Sequence, residues 1–219
     1  MHPFSGDDTK DAPVLDDALT AFVTLLVVVD PIGIAPAFVS VTQGFPAATR
    51  RAVGIRAALI ATIILAGTAL AGNWLLNRLG IGLPAFRISG GILLFTIAFD
   101  MVLGGRPARE ARQANDAVAE HVRDVAAFPL AIPLIAGPGA ITATLLLAGR
   151  ANYDATALAV LIAIVAAVGC ACATTFLLAE HLARALGVTG NVVLSRLLGV
   201  VLAALAVQFV IDGARTAFG

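Results

Sequence analysis

Charge is scarce in this chain: 13% of its 219 residues are Asp, Glu, Lys or Arg, and the 14 bases balance the 14 acids. A soluble domain carries about 25%, so a water-facing surface is excluded for most of it. There is no long basic run and no net charge, which leaves no electrostatic footprint for nucleic acid. Cysteine is nearly absent; Cys170 and Cys172 stand two apart in one apolar stretch, a spacing that fits neither a zinc knuckle nor a redox pair. The three histidines are scattered singly, and neither GxGxxG after a strand nor GxxxxGK[ST] occurs. No enzyme and no cofactor is expected.

What is abundant is apolar length. Hydrophobic residues make up 59% of the chain. They gather in stretches at 17–42, 53–77, 84–104, 125–149, 155–180 and 192–212, each near the ~20 residues that cross a bilayer. The expected fold is therefore an all-α integral membrane protein with six transmembrane segments and the lipid bilayer as its first partner. Residues 1–18, with Asp7, Asp8, Asp11, Asp16 and Asp17 against Lys10, read as an acidic tail and not as a basic signal sequence.

Two of the stretches are interrupted. Asp30-Pro31-Ile32-Gly33-Ile34-Ala35-Pro36 breaks the first, and Ala136-Gly137-Pro138-Gly139-Ala140 breaks the fourth. Irregular backbone at membrane depth is tolerated only where protein or a watery cavity receives its freed polar groups. Pro31 and Pro138, Leu79 and Leu186, and Gly80 and Gly187 match at an offset of 107 residues; Arg87 and Arg196, Gly90 and Gly199, and Gly104 and Gly213 match at 109. The chain is thus expected to be a duplication: repeat one over 19–104, a polar loop over 105–124, repeat two over 125–219. Three spans per half put the second copy in upside down, a 3+3 inverted repeat with broken helices 1 and 4, as in many secondary transporters. Loop Lys and Arg, nine on one side against five on the other, favour both termini on the periplasmic side.

The candidate site follows from the breaks. Asp before Pro is a helix start signal, so a half-helix is expected to begin at Pro31. Asp30 either caps it or, as an ionisable group near the midplane, binds a cation, a proton or an amine. Gly33 belongs to the same turn. Gly137 replaces the acid in the second half, leaving a helix N-terminus without its own anion. A small zwitterion would suit both ends: ammonium on Asp30, carboxylate on the amides near Gly139 and Ala140, with Thr142 nearby. The alternative is that Gly137 and Gly139 serve close packing alone. Asp100 is a second candidate for ion coupling or an interface-paired carboxylate. Arg87 and Arg196 read as interface anchors, and Thr24, Ser40, Thr42 and Thr144 as residues that bond freed carbonyls. A homo-oligomer is compatible with all of this.

The segments Asp30 to Pro36 (DPIGIAP), Leu83 to Met101 (LPAFRISGGILLFTIAFDM) and Phe128 to Thr142 (FPLAIPLIAGPGAIT) together resemble the MarC family of bacterial inner-membrane proteins. That family is also described as neutral amino acid transporters. The resemblance covers nearly the whole chain. It implies six spans in the inner membrane and, from some members, uptake of glycine, alanine and similar amino acids with a proton. The name comes from an antibiotic-resistance locus, so the alternative is an exporter of small solutes or a stress-associated membrane protein without transport. Ile34 departs from the family pattern, which usually has Asn there, and implies a different solute preference.

Overall fold

The computed structural model describes residues 8–104, 126–150 and 154–218, and every regular element among them is helical. In chain order these are α1 (Asp8–Val29), α2 (Ala35–Val41), α3 (Ala47–Arg78), α4 (Leu83–Leu103), a π-helical α5 (Ala126–Ile135), α6 (Pro138–Arg150), α7 (Ala155–Leu177) and α8 (Ala179–Phe218). Among the described residues four helical segments are long and apolar enough to cross a membrane: α3, α4, α7 and the Thr189–Phe218 part of α8. The chain is an all-helical membrane protein. The polar loop expected over 105–124 lies outside the described residues.

Burial is distributed by that environment. The four long helices keep apolar stripes on the outside, as Ile55, Leu59, Ile63, Leu70 and Trp74 do along α3, the pattern of helices that face hydrocarbon. The broken segments run through the middle. On α6 every residue from Gly139 to Gly149 is buried except the half-buried Ile141. Leu25, Val29, Ile34 and Phe38 of the first broken segment are fully buried as well. The irregular backbone is thus enclosed by protein.

Pairing between helices is ordered. α3 packs on α7 antiparallel, since a side chain at Gly54 would meet Phe176 while one at Gly169 would meet Thr62. α4 packs on α8 in the same sense: Gly91 faces Ala206 and Val210, Gly199 faces Ala98 and Met101, and Gly213 faces Pro84 and Ile88. Missing side chains let these backbones approach closely. α1 and α2 lie along α7. Ala18 and Ala21 of α1 share a cavity with Asp154 and Ala157 at the start of α7, while Phe38 of α2 stacks on Phe176 at its end, ring centroids 4.4 Å apart. α7, 23 residues long, spans about 35 Å.

Three boundaries differ from expectation. The first half-helix begins at Ala35, not Pro31. α1 already starts at Asp8, inside the expected acidic tail. The segment before Gly137 is π-helical, with Ala136 N–H donating to the Ala131 carbonyl five residues back at 2.8 Å. Pro129 and Pro133 have no N–H to give an α-helix there. At Leu186-Gly187 the helical run of α8 is interrupted: Gly187 is non-helical (φ 59°, ψ −176°), and the membrane-spanning part of α8 lies beyond it, at Thr189–Phe218.

Candidate functional site

Asp30 ends α1. Its N–H still donates to the Leu26 carbonyl at 2.9 Å, but Pro31 disfavours a right-handed helical conformation in the residue before it, and Asp30 turns to φ 51°. Left-handed backbone is uncommon outside glycine, and Asp is among the residues that tolerate it. In this position its Oδ1 accepts the Gly33 N–H at 3.0 Å, and its carbonyl accepts the Ile34 N–H at 3.2 Å. Asp30 therefore caps the connecting turn, four residues ahead of the helix it was expected to start. Gly33 is required for it: a side chain there would occupy the place of the Asp30 carboxylate.

The second carboxylate oxygen is held from the far end of the chain. Ser195 of α8 donates its hydroxyl to Asp30 Oδ2 at 3.2 Å, across 165 residues of sequence. Asp30 is 2% exposed and Ser195 3%. Among the described residues no Lys, Arg or His forms an ion pair with Asp30. A buried carboxylate that meets two neutral donors and no cation lacks most of what offsets its desolvation. That imbalance is the chemical signature of the site.

The second break comes alongside the first. Gly139 at the start of α6 lies against Val28, two residues before Asp30, and against Ile97 of α4. A side chain at Gly137 would run into the Pro133 carbonyl. α6 starts at Pro138, as expected, and Gly139 and Ala140 occupy its first turn, where N–H groups have no partner within the helix. Thr142 is buried with its methyl against Gly90. Asp30, Gly33, Gly137, Gly139, Ala140 and Thr142 are all buried, and the contact of Gly139 with Val28 links the two breaks. Asp100 is half-buried on α4 and is not bonded to Asp30.

The threonines act locally. Thr24 donates to the Thr20 carbonyl, Thr42 to Phe38 and Thr144 to Ala140, each one turn back in its own helix. Arg87, expected at the interface, donates to the Gly149 carbonyl at 3.4 Å. Near it Arg150 pairs with Asp212 at 2.6 Å, Gln208 donates to the same carboxyl group, and the Arg150 guanidinium lies over the Phe209 ring. At the opposite end Arg50 pairs with Glu180.

Two cavities flank the centre. One, about 190 Å3, opens between α1, α6 and α7 and is lined by Asp17, Arg150 and Asp154 among apolar side chains. The other, about 110 Å3, is lined by Arg50, Arg51, Glu180 and Phe176. Asp30 lines neither of them.

Ser195 and Asn191 went unnoticed in the sequence. A signal existed: two small polar residues four apart at the start of the last apolar stretch fall on one helix face, and polar groups on a membrane helix seek partners across helices.

Comparison with known proteins adds family-level similarity. The sequence profile described as "MarC family integral membrane protein" matches residues 15–218. A UPF0056 membrane protein of Methanocaldococcus jannaschii is 37% identical over 199 residues, 91% of this chain and 96% of its own length. Another, from Archaeoglobus fulgidus, is 37% identical and covers 88% of this chain and 90% of its own. The Escherichia coli UPF0056 membrane protein YhcE is 36% identical over 90% of this chain and 91% of its own. No solved structure matches the chain significantly.

Proposed function

The chain belongs to the MarC family of integral membrane proteins, and from that premise we propose that it transports small neutral amino acids or similar zwitterions across the bacterial inner membrane, coupled to a proton or cation. Asp30 carries the reading: a carboxylate buried at a helix break, held by Gly33 N–H and the Ser195 hydroxyl, with no cation beside it. An intramembrane acid of this kind marks substrate or ion pathways. The solute's ammonium would supply the missing cation, and its carboxylate would meet the first-turn amides of α6 at Gly139 and Ala140. The burial of Asp30, outside both flanking cavities, suits an occluded site that opens alternately to either face.

In this reading the chain crosses six times as two inverted halves. Support comes from symmetry: α3 and α7 occupy corresponding places in the two halves and pair antiparallel, as do α4 and α8, while Gly80 and Gly187 both have positive φ. The broken first segment begins beside the start of α7 and ends beside its end, which favours a full crossing over a hairpin. Both termini then lie on the periplasmic side. Purified protein in proteoliposomes, given labelled glycine, alanine and a panel of other solutes with and without a proton gradient, tests the function. Saturable uptake that Asp30→Asn abolishes supports it; no uptake of any zwitterion under either gradient overturns it.

A further inference from the structure

α8 turns one buried stripe inward, running through Asn191, Ser195, Gly199, Leu202, Ala206 and Phe209. Ser195 on that stripe reaches Asp30. Asn191 stands one turn earlier on the same stripe, 8% exposed, and its Oδ1 is buried with no hydrogen-bond partner. Among the described residues it is the one buried side-chain oxygen or nitrogen in that condition. An unpaired carboxamide oxygen is costly to bury, and native proteins leave few such atoms. A leucine has the same branched outline of four side-chain heavy atoms and carries no polar group to desolvate.

The surroundings supply acceptors. Asp30 gives one carboxylate oxygen to Gly33 and the other to Ser195, and each oxygen keeps further lone-pair capacity. The Ser195 hydroxyl, once it donates to Asp30, is itself an acceptor. A primary ammonium carries three N–H donors that diverge tetrahedrally, so a single carboxylate does not satisfy it. Two acceptors bonded to one nitrogen lie about 5 Å apart, and one helical turn separates neighbouring side chains by about 5–6 Å.

We propose that Asn191 Oδ1 is the second acceptor for the ammonium that Asp30 binds, and that it selects amines with at least two N–H groups over N,N-dimethylated ones. This rests on the reading of Asp30 as an amine site and names the residue that sets its selectivity. N,N-dimethylation leaves a single N–H, which Asp30 takes, so Asn191 stays as unpaired as it is in the empty protein. The discrimination is of the kind given by a polar site that rejects a ligand lacking one donor.

The test uses full-length protein in detergent with four probes: L-alanine, N,N-dimethyl-L-alanine, methylammonium and sodium ion, read by calorimetry and by ligand-dependent thermal stabilisation. The parent is expected to bind alanine at least tenfold more tightly than dimethylalanine. Asn191→Leu is expected to melt no lower than the parent without ligand, yet to lose about ten- to a hundredfold in affinity for alanine and methylammonium. Its affinity for dimethylalanine should change little, so the two amino acids converge. Asn191→Ser, which keeps an acceptor, should retain part of the preference. An unaltered alanine to dimethylalanine ratio in Asn191→Leu overturns the inference, as does Asn191-dependent stabilisation by sodium without any by methylammonium. Methylammonium binding that depends on Asn191, with no alanine binding, upholds the inference and sinks the zwitterion reading; no binding of either to the parent overturns both.

Discussion

Replacing Asp30 in two ways separates what its backbone, its cap and its charge contribute. Asn keeps a side-chain oxygen for the Gly33 N–H, can donate its amide N–H to the Ser195 hydroxyl oxygen, and tolerates φ 51° at least as well as Asp. Asp30→Asn should therefore unfold within about 0.5 kcal/mol of the parent, the scatter of a near-neutral change. Asp30→Ala removes the cap, worth about 0.5–2 kcal/mol, and places a Cβ-bearing residue without a local hydrogen bond in left-handed backbone, a further 1–2 kcal/mol or so. The sum is about 1.5–4 kcal/mol, or roughly 3–16 °C in melting temperature for a chain of this length. The assay is thermal unfolding in detergent and uptake in vesicles on the same preparations. Uptake should fall in both variants, because both lack the charge. Full uptake by Asp30→Asn would refute the role of the carboxylate, and equal melting of the Asn and Ala variants would refute the account of the turn.

Other expectations follow from individual contacts. Gly33→Ala pushes a methyl group into the Asp30 carboxylate and should cost about 2–4 kcal/mol through its two hydrogen bonds; a melting temperature equal to the parent's would contradict the contact. Gly139→Val meets Ile97 and Val28 and should lose about 1–3 kcal/mol by overpacking. If packing is the whole role of Gly139, the second change Ile97→Ala should restore stability and uptake together, whereas restored stability without uptake assigns the glycine to the solute. With Cys170 and Cys172 replaced by Ala, single cysteines at Asp17 and Gln43 should be labelled from opposite faces by an impermeant thiol reagent in intact cells and inverted vesicles. Labelling from one face at both positions would make the first broken segment a hairpin.

The membrane class, the long helices and the position of both breaks were legible because apolar length and proline are local signals. Pro138 begins α6 where expected. The first break was read less well. Asp-Pro is a start signal by sequence, yet Pro36 and the left-handed turn at Asp30 delay the helix to Ala35. The π-helical turn before Gly137 arises from where Pro129 and Pro133 withhold donors, and periodicity along ten nearly uniform apolar residues does not report that. Ser195 and Asn191 escaped because their meaning comes from a helix 165 residues away in the chain, and a lone serine next to Arg196 attracts no attention. The breaks themselves were thus legible in the sequence, and the α8 serine that bonds Asp30 was not.

The antiparallel pairings join one half of the chain to the other: α3 with α7, and α4 with α8. A nascent chain that stops after α4 has made its helices and almost none of their native neighbours. Asp30 enters the bilayer with the first segment, while Ser195 belongs to the last. Through most of synthesis the buried acid must find water, lipid headgroups or a helper protein to face. Completion of the final helix encloses it, so assembly of the site is the last step of folding rather than the first.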